Sequence, residues 1–395
     1  MSEIKVGLCG QMFPPVEHAV KSITRAEKLG WDFINFPDQL TGTHPFGMLK
    51  SPVTQADPSA PSAMYSDVWF SSFEICAAAA VLTENIEILL AVVDPLRRSP
   101  ALMAQEMATL NHLSRGRITF ALGAGEAKQF EPYGEQRVKP QSKLEEAVHT
   151  FKALWGSEGR PVSRQSPFWP LNDAVFPLPR FGGRDPQILL VGGSERVLSL
   201  TGEVCDGWLT FLPGGSMDDP ELMAQMINVV KAAAVAAGRD PSELRFVAQV
   251  FAAIGRTDDE AWERAQLLPV KWLGIIGASI AGGAAWKKYG YEHPFGDYNW
   301  ATASWDLTRM TIEEAERLSQ QVPDEILDHS CLWGSPKQVA ARLKPYIEAG
   351  ITEFSLFNFS AAADPSHAVG WDELGSEIRT HLGCAPLNLT PKGQR

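Results

Sequence analysis

Two short segments of the chain combine closely spaced glycines with an acidic residue at the end of an apolar run. They are Arg117–Glu126 (RITFALGAGE) and Gln187–Glu195 (QILLVGGSE). Such runs are typical of buried parallel strands, and glycines at a strand end let the backbone approach a ligand closely. Ser194 stands where a helix N-cap would, and the N–H groups at a helix start bind phosphate. The pattern predicts two ligand-facing turns, of which the second holds a phosphate group.

Both turns also have a plain structural interpretation, because glycine-rich turns join strands to helices in most α/β proteins. The first turn is not a dinucleotide fingerprint. The segment GAGEAK (Gly123–Lys128) lacks the third glycine of G-x-G-x-x-G, and no second strand ends in an acidic residue about twenty residues further on. The sequence therefore does not predict a Rossmann domain.

Composition excludes several classes of partner. The chain has 395 residues, 45% of them hydrophobic and 21% charged, with a formal net charge of -12. Nucleic acids and anionic membranes need clustered Lys and Arg, so neither is predicted as a partner. The first residues, MSEIKVGLCG, lack the basic and apolar regions of a signal peptide, and no apolar run is long enough to span a bilayer.

Cysteine and histidine spacing predicts no metal site. The five cysteines are scattered without a C-x-x-C pair, and the eight histidines show no H-E-x-x-H pattern. We interpret the cysteines as free thiols in a reducing cytoplasm.

Strand-like and helix-like segments alternate along most of the chain. Eight such strands followed by helices predict an α/β fold, the (β/α)8 TIM barrel, with insertions after strands 2, 4 and 7 in one domain of residues 1–395. Residues 157–186 are predicted to form a hairpin or an irregular insertion, and residues 258–330 a helical, aromatic-rich insertion. The predicted strands are Ile4–Leu8, Phe33–Phe36, Ile86–Val93, Arg117–Leu122, Ile188–Val191, Gly207–Leu212, Arg245–Phe251 and Glu353–Phe357.

A barrel of this kind gathers the loops that follow its strands at one mouth, where the chemistry takes place. Arg97 and Arg98, after strand three, are either part of the site or ordinary surface charges. The candidates at the mouth are Asp38 and Gln39 after strand two, Val93 and Asp94 after strand three, Gly123 to Glu126 after strand four, and Gly192 to Glu195 after strand five.

The segments that contain these residues, taken in their order along the chain, resemble the bacterial luciferase-like family. Within that family they resemble the oxidoreductases that use the deazaflavin coenzyme F420. The GAGE turn followed by EPYG (Glu131–Gly134) is similar to the ketoreductase branch. The segments that carry the resemblance are GWDFINFPD (Gly30–Asp38), RSPALMAQ (Arg98–Gln105), LSRGRITFALGAGE (Leu113–Glu126), GGSE (Gly192–Glu195) and Gly334–Phe354.

The resemblance implies where an F420 cofactor, or alternatively FMN, would bind. The turn after strand four would lie on the deazaflavin ring, the start of the helix after strand five would hold the phosphate, and a non-proline cis peptide would end strand three. The implied cofactor-binding residues are Asp38, Ala91, Val92, Val93, Gly123, Ala124, Gly125, Glu126, Val191, Gly192, Gly193 and Ser194.

One departure from the family bears on the catalytic residues. Relatives that oxidise alcohols carry an Asp-His pair after strand two, whereas this chain has Asp38-Gln39. Glutamine donates hydrogen bonds but does not exchange a proton near neutral pH. Glu126 is then the nearest proton donor, with Gln39 and Asp38 beside it and His44 and Tyr133 as weaker candidates.

The sequence therefore predicts an F420-dependent oxidoreductase that reduces a ketone or an activated alkene. The alternatives to this predicted function are a two-component FMN-dependent monooxygenase and a non-catalytic flavin binder. The segments Thr41–Val68 and Gly274–Trp305 carry few basic residues, so we expect them to cover a sizeable, largely apolar small-molecule substrate. The resemblance implies a homodimer that pairs through barrel helices, and Ile75–Val81 fits that role, although burial within one chain explains its apolar character equally well.

Overall fold

The fold is built on a closed barrel of parallel strands, shown by the computed structural model, which describes residues 3–49, 69–214, 218–277 and 282–389. Its strands are β1 Lys5–Cys9, β2 Phe33–Phe36, β3 Glu87–Val93, β4 Ile118–Leu122, β5 Val162–Arg164, β6 Leu171–Ala174, β7 Gln187–Val191, β8 Gly207–Leu212, β9 Arg245–Ile254, β10 Leu332–Gly334 and β11 Glu353–Asn358. Its helices are α1 Val16–Leu29, α2 Ser72–Leu82, α3 Pro100–Leu113, α4 Pro140–Gly156, α5 Glu195–Val204, α6 Pro220–Ala236, α7 Asp258–Ala265, α8 Leu268–Ile276, α9 Gly282–Lys288, α10 Trp300–Thr308, α11 Ile312–Gln320, α12 Asp324–Asp328, α13 Pro336–Ala349, α14 Phe359–Ala363 and α15 Trp371–His381.

The strand pairings confirm the predicted (β/α)8 barrel. The sheet runs in the order β10-β9-β11-β1-β2-β3-β4-β7-β8, and pairing of β8 with β9 closes it. Each of the eight barrel strands lies parallel to its neighbours. Strand β10 is an addition that sequence patterning did not predict: it pairs with Ala252–Ile254, where β9 runs beyond its expected end at Phe251.

Local sequence signals place the ends of several helices. Helix α1 ends at Gly30, whose φ of 84° is left-handed and is easily adopted only by glycine. Ser335 caps α13 by accepting from the Gln338 N–H, and Pro336 occupies the first turn, where its missing N–H costs nothing. Ser194 caps α5 in the same way, through the Val197 N–H. The predicted start of α5 at Ser194 is therefore confirmed.

The barrel interior is apolar in the middle and charged at its amino-terminal end. Arg245 donates to Glu353 at 2.7 and 2.8 Å and to Glu87 at 3.1 Å, and Lys5 pairs with Glu87. Burial opposes the charge on Arg245, but the two carboxylates raise its pKa above the ordinary value. These charges lie at the end opposite to the loops that follow the strands. The apolar middle consists of Phe33, Leu89, Ala91, Ala121, Leu189, Val191, Leu209 and Val247.

The predicted insertions after the fourth and seventh barrel strands contain regular structure. Within residues 157–186, β5 and β6 form an antiparallel hairpin. Between β9 and β10, the described residues form six helices (α7 to α12), which with their connections supply most of a second apolar cluster. Residues 50–68 of the expected covering loop, and residues 278–281 of the insertion, lie outside the described residues. Within the described ranges, none of the helices has the length and apolar character needed to cross a bilayer.

Candidate active site

Asp38, two residues beyond β2, lies in a buried cluster of charges. It accepts from Arg97 at 2.5 Å, from Arg98 at 2.9 and 3.2 Å, and from the Ser72 hydroxyl at 2.6 Å. Arg97 also binds Asp94, so it joins the ends of β2 and β3. Burial opposes ionisation of Asp38, but the Arg98 hydrogen bond and the charges of both arginines lower its pKa. Both carboxylate oxygens are thus occupied by donors from the protein.

The end of β3 contains a cis peptide between Ala91 and Val92. This confirms the expectation of a non-proline cis bond within Ala91–Val93. The pairing of β3 with β4 shifts register between Ala91 and Val93, and the Gly123 N–H then donates to the Val93 carbonyl at 3.0 Å. The two strand ends are therefore held side by side at the mouth.

The turn after β4 needs its glycines for steric reasons. Gly125 has a φ of 72°, and a Cβ built there would lie 2.5 Å from the Phe130 ring. A Cβ on Gly123 would lie 2.8 Å from Val92. Arg137 donates to the carbonyls of Ala124 at 3.2 Å and Gly125 at 2.8 Å, which fixes the turn from its outer side. The next side chain along the chain is that of Glu126.

Glu126 is held by a lysine that sequence patterning did not single out. Lys128 is fully buried, and its ammonium lies 3.0 Å from Glu126 Oε2. The indole N–H of Trp300, from the insertion, donates to Glu126 Oε1 at 2.5 Å. Lys128 also donates to the side-chain carbonyl of Gln39 and, at 2.8 Å, to the Thr41 carbonyl. Burial lowers the pKa of Lys128, and the Glu126 carboxylate opposes that effect.

The shared partner Lys128 places Gln39 and Glu126 next to each other, so two of the three predicted catalytic residues share one polar cluster. Asp38 is the third, and its partners are the arginines and Ser72. The predicted roles of all three residues stay predictions.

The turn after β7 contains the glycines and the serine of the predicted phosphate site. Ser194 caps α5, and the Gly192 carbonyl accepts from the Trp208 indole N–H at 2.9 Å, which ties the turn to β8. Gly192 has a φ of 145°, and a Cβ there would lie 3.3 Å from Val197, so a side chain is disfavoured on both counts. Val191 and Gly193 flank it, and the N–H groups of the first turn of α5 would be the phosphate donors.

Two buried polar side chains test whether a flavin-like group fits this mouth. Asn35 is fully buried, and neither its amide oxygen nor its amide nitrogen has a partner among the described residues. It follows Phe33 by two positions on β2, so it faces the barrel interior as Phe33 does. The Tyr298 hydroxyl is likewise buried and unpaired within the described residues. A planar ring with donors and acceptors along its edge, as in F420 and FMN, fits these groups.

The two weaker proton-donor candidates occupy different surroundings. His44 is buried, its Nε2 donates to the Pro269 carbonyl at 2.7 Å, and Nδ1 lies 2.9 Å from the Thr43 hydroxyl. Burial lowers the pKa of His44 to about 4, so it stays neutral near pH 7 and is not a proton donor there. Tyr133 is half exposed, with its hydroxyl 2.9 Å from that of Thr41.

Several residues at the mouth were missed or left open by sequence reasoning. Lys128 and Gln129 follow an acidic residue in a turn, a context typical of solvated side chains. Trp300 and Ser304 come from an insertion more than 170 positions away, and Ser304 accepts from the Lys128 N–H at 3.1 Å. The proximity of Lys128 to Glu126 was the available signal, because a Glu-x-Lys pair in a turn can form an ion pair.

The Asp38 cluster predicts a pH-dependent loss of stability. The unfolded-state pKa of aspartate is about 3.9 and that of folded Asp38 is lower, so protonation favours the unfolded chain as the pH falls. We expect Asp38→Asn to lower the free energy of unfolding by about 3 kcal/mol at pH 7, because Arg97 and Arg98 both lose the buried carboxylate that they share. The difference from the wild type should shrink at pH 3, as measured by urea unfolding. Ser72→Ala, which removes a neutral donor, is the control, and an equal difference at both pH values would contradict this assignment.

Comparisons with known proteins found a matching family model, similar proteins and similar solved structures. The family model described as "Luciferase-like monooxygenase" matches residues 4–353. The phthiodiolone/phenolphthiodiolone dimycocerosates ketoreductase of Mycobacterium tuberculosis is 33% identical over 284 residues, which are 71% of each chain. Among solved structures, an F420-dependent secondary alcohol dehydrogenase with an F420-acetone adduct superposes with a TM-score of 0.66 at 20% identity, over 95% of this chain and 99% of that one.

A second solved structure carries FMN instead. The oxygenating constituent of 3,6-diketocamphane monooxygenase from Pseudomonas putida, in complex with FMN, has a TM-score of 0.63 at 18% identity and covers 95% of this chain and 97% of that one. At these identities the two structures establish the shared fold alone. The family match, by contrast, extends over most of the chain and includes the ends of β2, β3, β4 and β7. The protein therefore belongs to the luciferase-like monooxygenase family of oxidoreductases.

Proposed function

We propose that this protein is an F420-dependent reductase that transfers a hydride from the reduced deazaflavin to a ketone or an activated alkene. The observation that carries the proposal is the cluster in which Lys128 joins Gln39 and Glu126 at the barrel mouth. This cluster offers a hydrogen-bond donor and a carboxyl group to one substrate oxygen. The ketoreductase relatives support the same direction of reaction.

The cofactor would be held by the ends of three strands. The turn Gly123–Glu126 and the Ala91–Val92 peptide would contact the ring, and Gly192, Gly193 and Ser194 would bind the phosphate. When bound, reduced F420 supplies a hydride from a ring carbon and reacts poorly with oxygen. The protein's contribution is to hold the substrate carbon close to that position and to exclude water.

The substrate oxygen would lie between Gln39 and Glu126. Gln39 would donate a hydrogen bond that stabilises negative charge developing on the oxygen. Glu126, whose side chain is 30% exposed, would take up a proton from water and deliver it to that oxygen. Gln39 occupies the position at which alcohol-oxidising relatives have histidine, so no imidazole stands there to remove a proton from an alcohol.

The covering insertion favours a sizeable, largely apolar substrate. Its lysines at positions 287 and 288 pair with Asp297 and Asp219, so their charges are already balanced by carboxylates. Phosphorylated substrates need clustered cations, and an aromatic cover instead favours apolar carbon chains. The aromatic side chains here include Trp286, Tyr298 and Trp300.

The proposed function predicts turnover with reduced F420 and a ketone. Anaerobic mixing of the protein with reduced F420 and 2-tridecanone or a cyclic enone should give substrate-dependent oxidation of the cofactor, followed by absorbance. Fluorescence titration should show tighter binding of F420 than of FMN. Binding of FMN alone, together with oxygen-dependent product formation from reduced FMN, would instead support the two-component monooxygenase. No oxidation with any tested substrate would support a non-catalytic binder.

Replacement of the proposed proton donor should slow the reaction without weakening cofactor binding. We expect Glu126→Gln to lower turnover at least about 100-fold and to change the cofactor Kd by less than about threefold, since an acid–base group acts mainly in the transition state. Glu131→Gln, at an exposed position on the following turn, is the matched control and should keep the wild-type rate. A full rate for Glu126→Gln would remove Glu126 from the proton transfer.

We also propose that the protein is a cytoplasmic homodimer that pairs through α2 and α3. Much of the predicted segment Ile75–Val81 is buried within the chain, but Val81 is 66% exposed, and Leu82 and the α3 residue Leu102 are 43% and 51% exposed. Exposed apolar side chains on neighbouring helices are typical of an interface. Light scattering should give twice the mass of one 43.2 kDa chain. Val81→Glu should shift the protein towards the monomer, and a monomeric wild type would contradict the proposal.

A further inference from the structure

The side-chain amide of Gln39 is held in one orientation. Lys128 Nζ and Gln129 Nε2 both donate to Gln39 Oε1. An ammonium group has only donors, so the atom of Gln39 that faces it must be the oxygen. A reversed amide would set its N–H groups against the ammonium and leave the buried charge without this acceptor.

Gln129 requires the same orientation for an independent reason. The backbone N–H of Leu40 donates to Gln129 Oε1 at 2.9 Å, which fixes the oxygen of Gln129 on that side. Its nitrogen then lies on the other side, where it donates to Gln39 Oε1 and, at 3.2 Å, to the Thr41 carbonyl. Two donors, each with its own fixed geometry, therefore select the same face of Gln39.

Lys128 acts on the site through these neighbours. It has three N–H groups, and the structure gives it three acceptors: Gln39, the Thr41 carbonyl and Glu126. Its side chain is fully buried. Lys128 thus has no N–H group left for a substrate, and its influence on a substrate passes through its partners.

The amide nitrogen of Gln39 is the group that this arrangement leaves available. It has no partner among the described residues and is not one of their buried unpaired atoms. We infer that Lys128 and Gln129 are positioning residues that hold Gln39 as an obligatory donor towards an acceptor oxygen of the substrate. This inference rests on the proposed function and names the substrate group that the site selects: a carbonyl oxygen.

A fixed donor selects an acceptor oxygen on the substrate. A carbonyl oxygen, and the negatively charged oxygen that forms from it, both accept a hydrogen bond from Gln39. The oxygen of Gln39 is occupied by Lys128 and Gln129, so Gln39 offers no acceptor to the O–H group of an alcohol, which would have to donate to Glu126 instead. Gln39 therefore binds the carbonyl form of the substrate through its N–H group and does not act as a base.

A double-mutant cycle tests whether Lys128 acts through Gln39. With reduced F420 and 2-tridecanone, Lys128→Met should lower kcat/KM about 10-fold in the wild-type background, the scale of one substrate hydrogen bond. In the Gln39→Ala background the same change should cost at most about threefold, because only the ion pair of Lys128 with Glu126 is then lost. Equal losses in both backgrounds would overturn the inference, since they would show that Lys128 acts through Glu126 or through the fold and not through Gln39.

A conservative variant separates donor loss from a folding defect. Lys128→Gln keeps a donor for the Gln39 oxygen, so it should recover most of the activity that Lys128→Met loses. Both variants should bind F420 within about threefold of the wild type, and thermal unfolding should identify a variant that fails to fold. If Lys128→Gln is folded and as inactive as Lys128→Met, the inference is wrong.

A measurement on the free protein needs no turnover. With ¹⁵N-glutamine labelling, the Gln39 side-chain signal can be assigned by its loss in Gln39→Leu. Its ¹⁵N relaxation should indicate a rigid amide in the wild type and Lys128→Gln, and a mobile one in Lys128→Met. A mobile amide in the wild type, or one equally rigid in all three proteins, would refute the positioning role even if the proposed reaction is observed. If the amide is rigid but the protein does not reduce ketones, the proposed function is wrong while the positioning of Gln39 still holds.

Discussion

The buried ammonium of Lys128 is the constraint on which the barrel mouth depends. Removal of a charge from water costs several kcal/mol unless its partners replace the lost hydration. Lys128 obtains them from Gln39 and Thr41 after β2 and from Glu126 after β4. Two loops that are distant in sequence are thereby held together, and the polar groups that we propose act on a substrate oxygen are brought to one place.

The barrel separates charges that stabilise the fold from charges that serve the site. Arg245, Glu353 and Glu87 form ion pairs at the amino-terminal end of the strands, away from the mouth. Asp38 and Arg97 join β2 to β3 at the opposite end and support the site without leaving a free carboxylate oxygen. This separation is typical of TIM barrels, in which the loops after the strands can vary over a stable base.

Much of the fold was predictable from sequence, because apolar strands, Ser caps and glycine stops are local signals. Ser194 has the predicted role, Ser335 and Gly30 mark helix ends by the same kind of local signal, and the barrel follows from the alternation of strands and helices. Strand β10 was missed because three residues are too short for a period to appear. Lys128 was missed because its burial depends on partners up to 176 positions away, which no local pattern encodes.

Isotope transfer from the cofactor to the product is the most direct test of the proposed hydride transfer. If the proposed reaction is correct, the hydride passes directly from the cofactor's reactive carbon to the substrate carbon while Gln39 binds the adjacent oxygen. Reduced F420 carrying deuterium at that carbon should therefore label the carbinol carbon of the alcohol formed from 2-tridecanone. A product without the label, formed in ordinary water at the same rate, would show that the hydrogen comes from another source and would contradict the account.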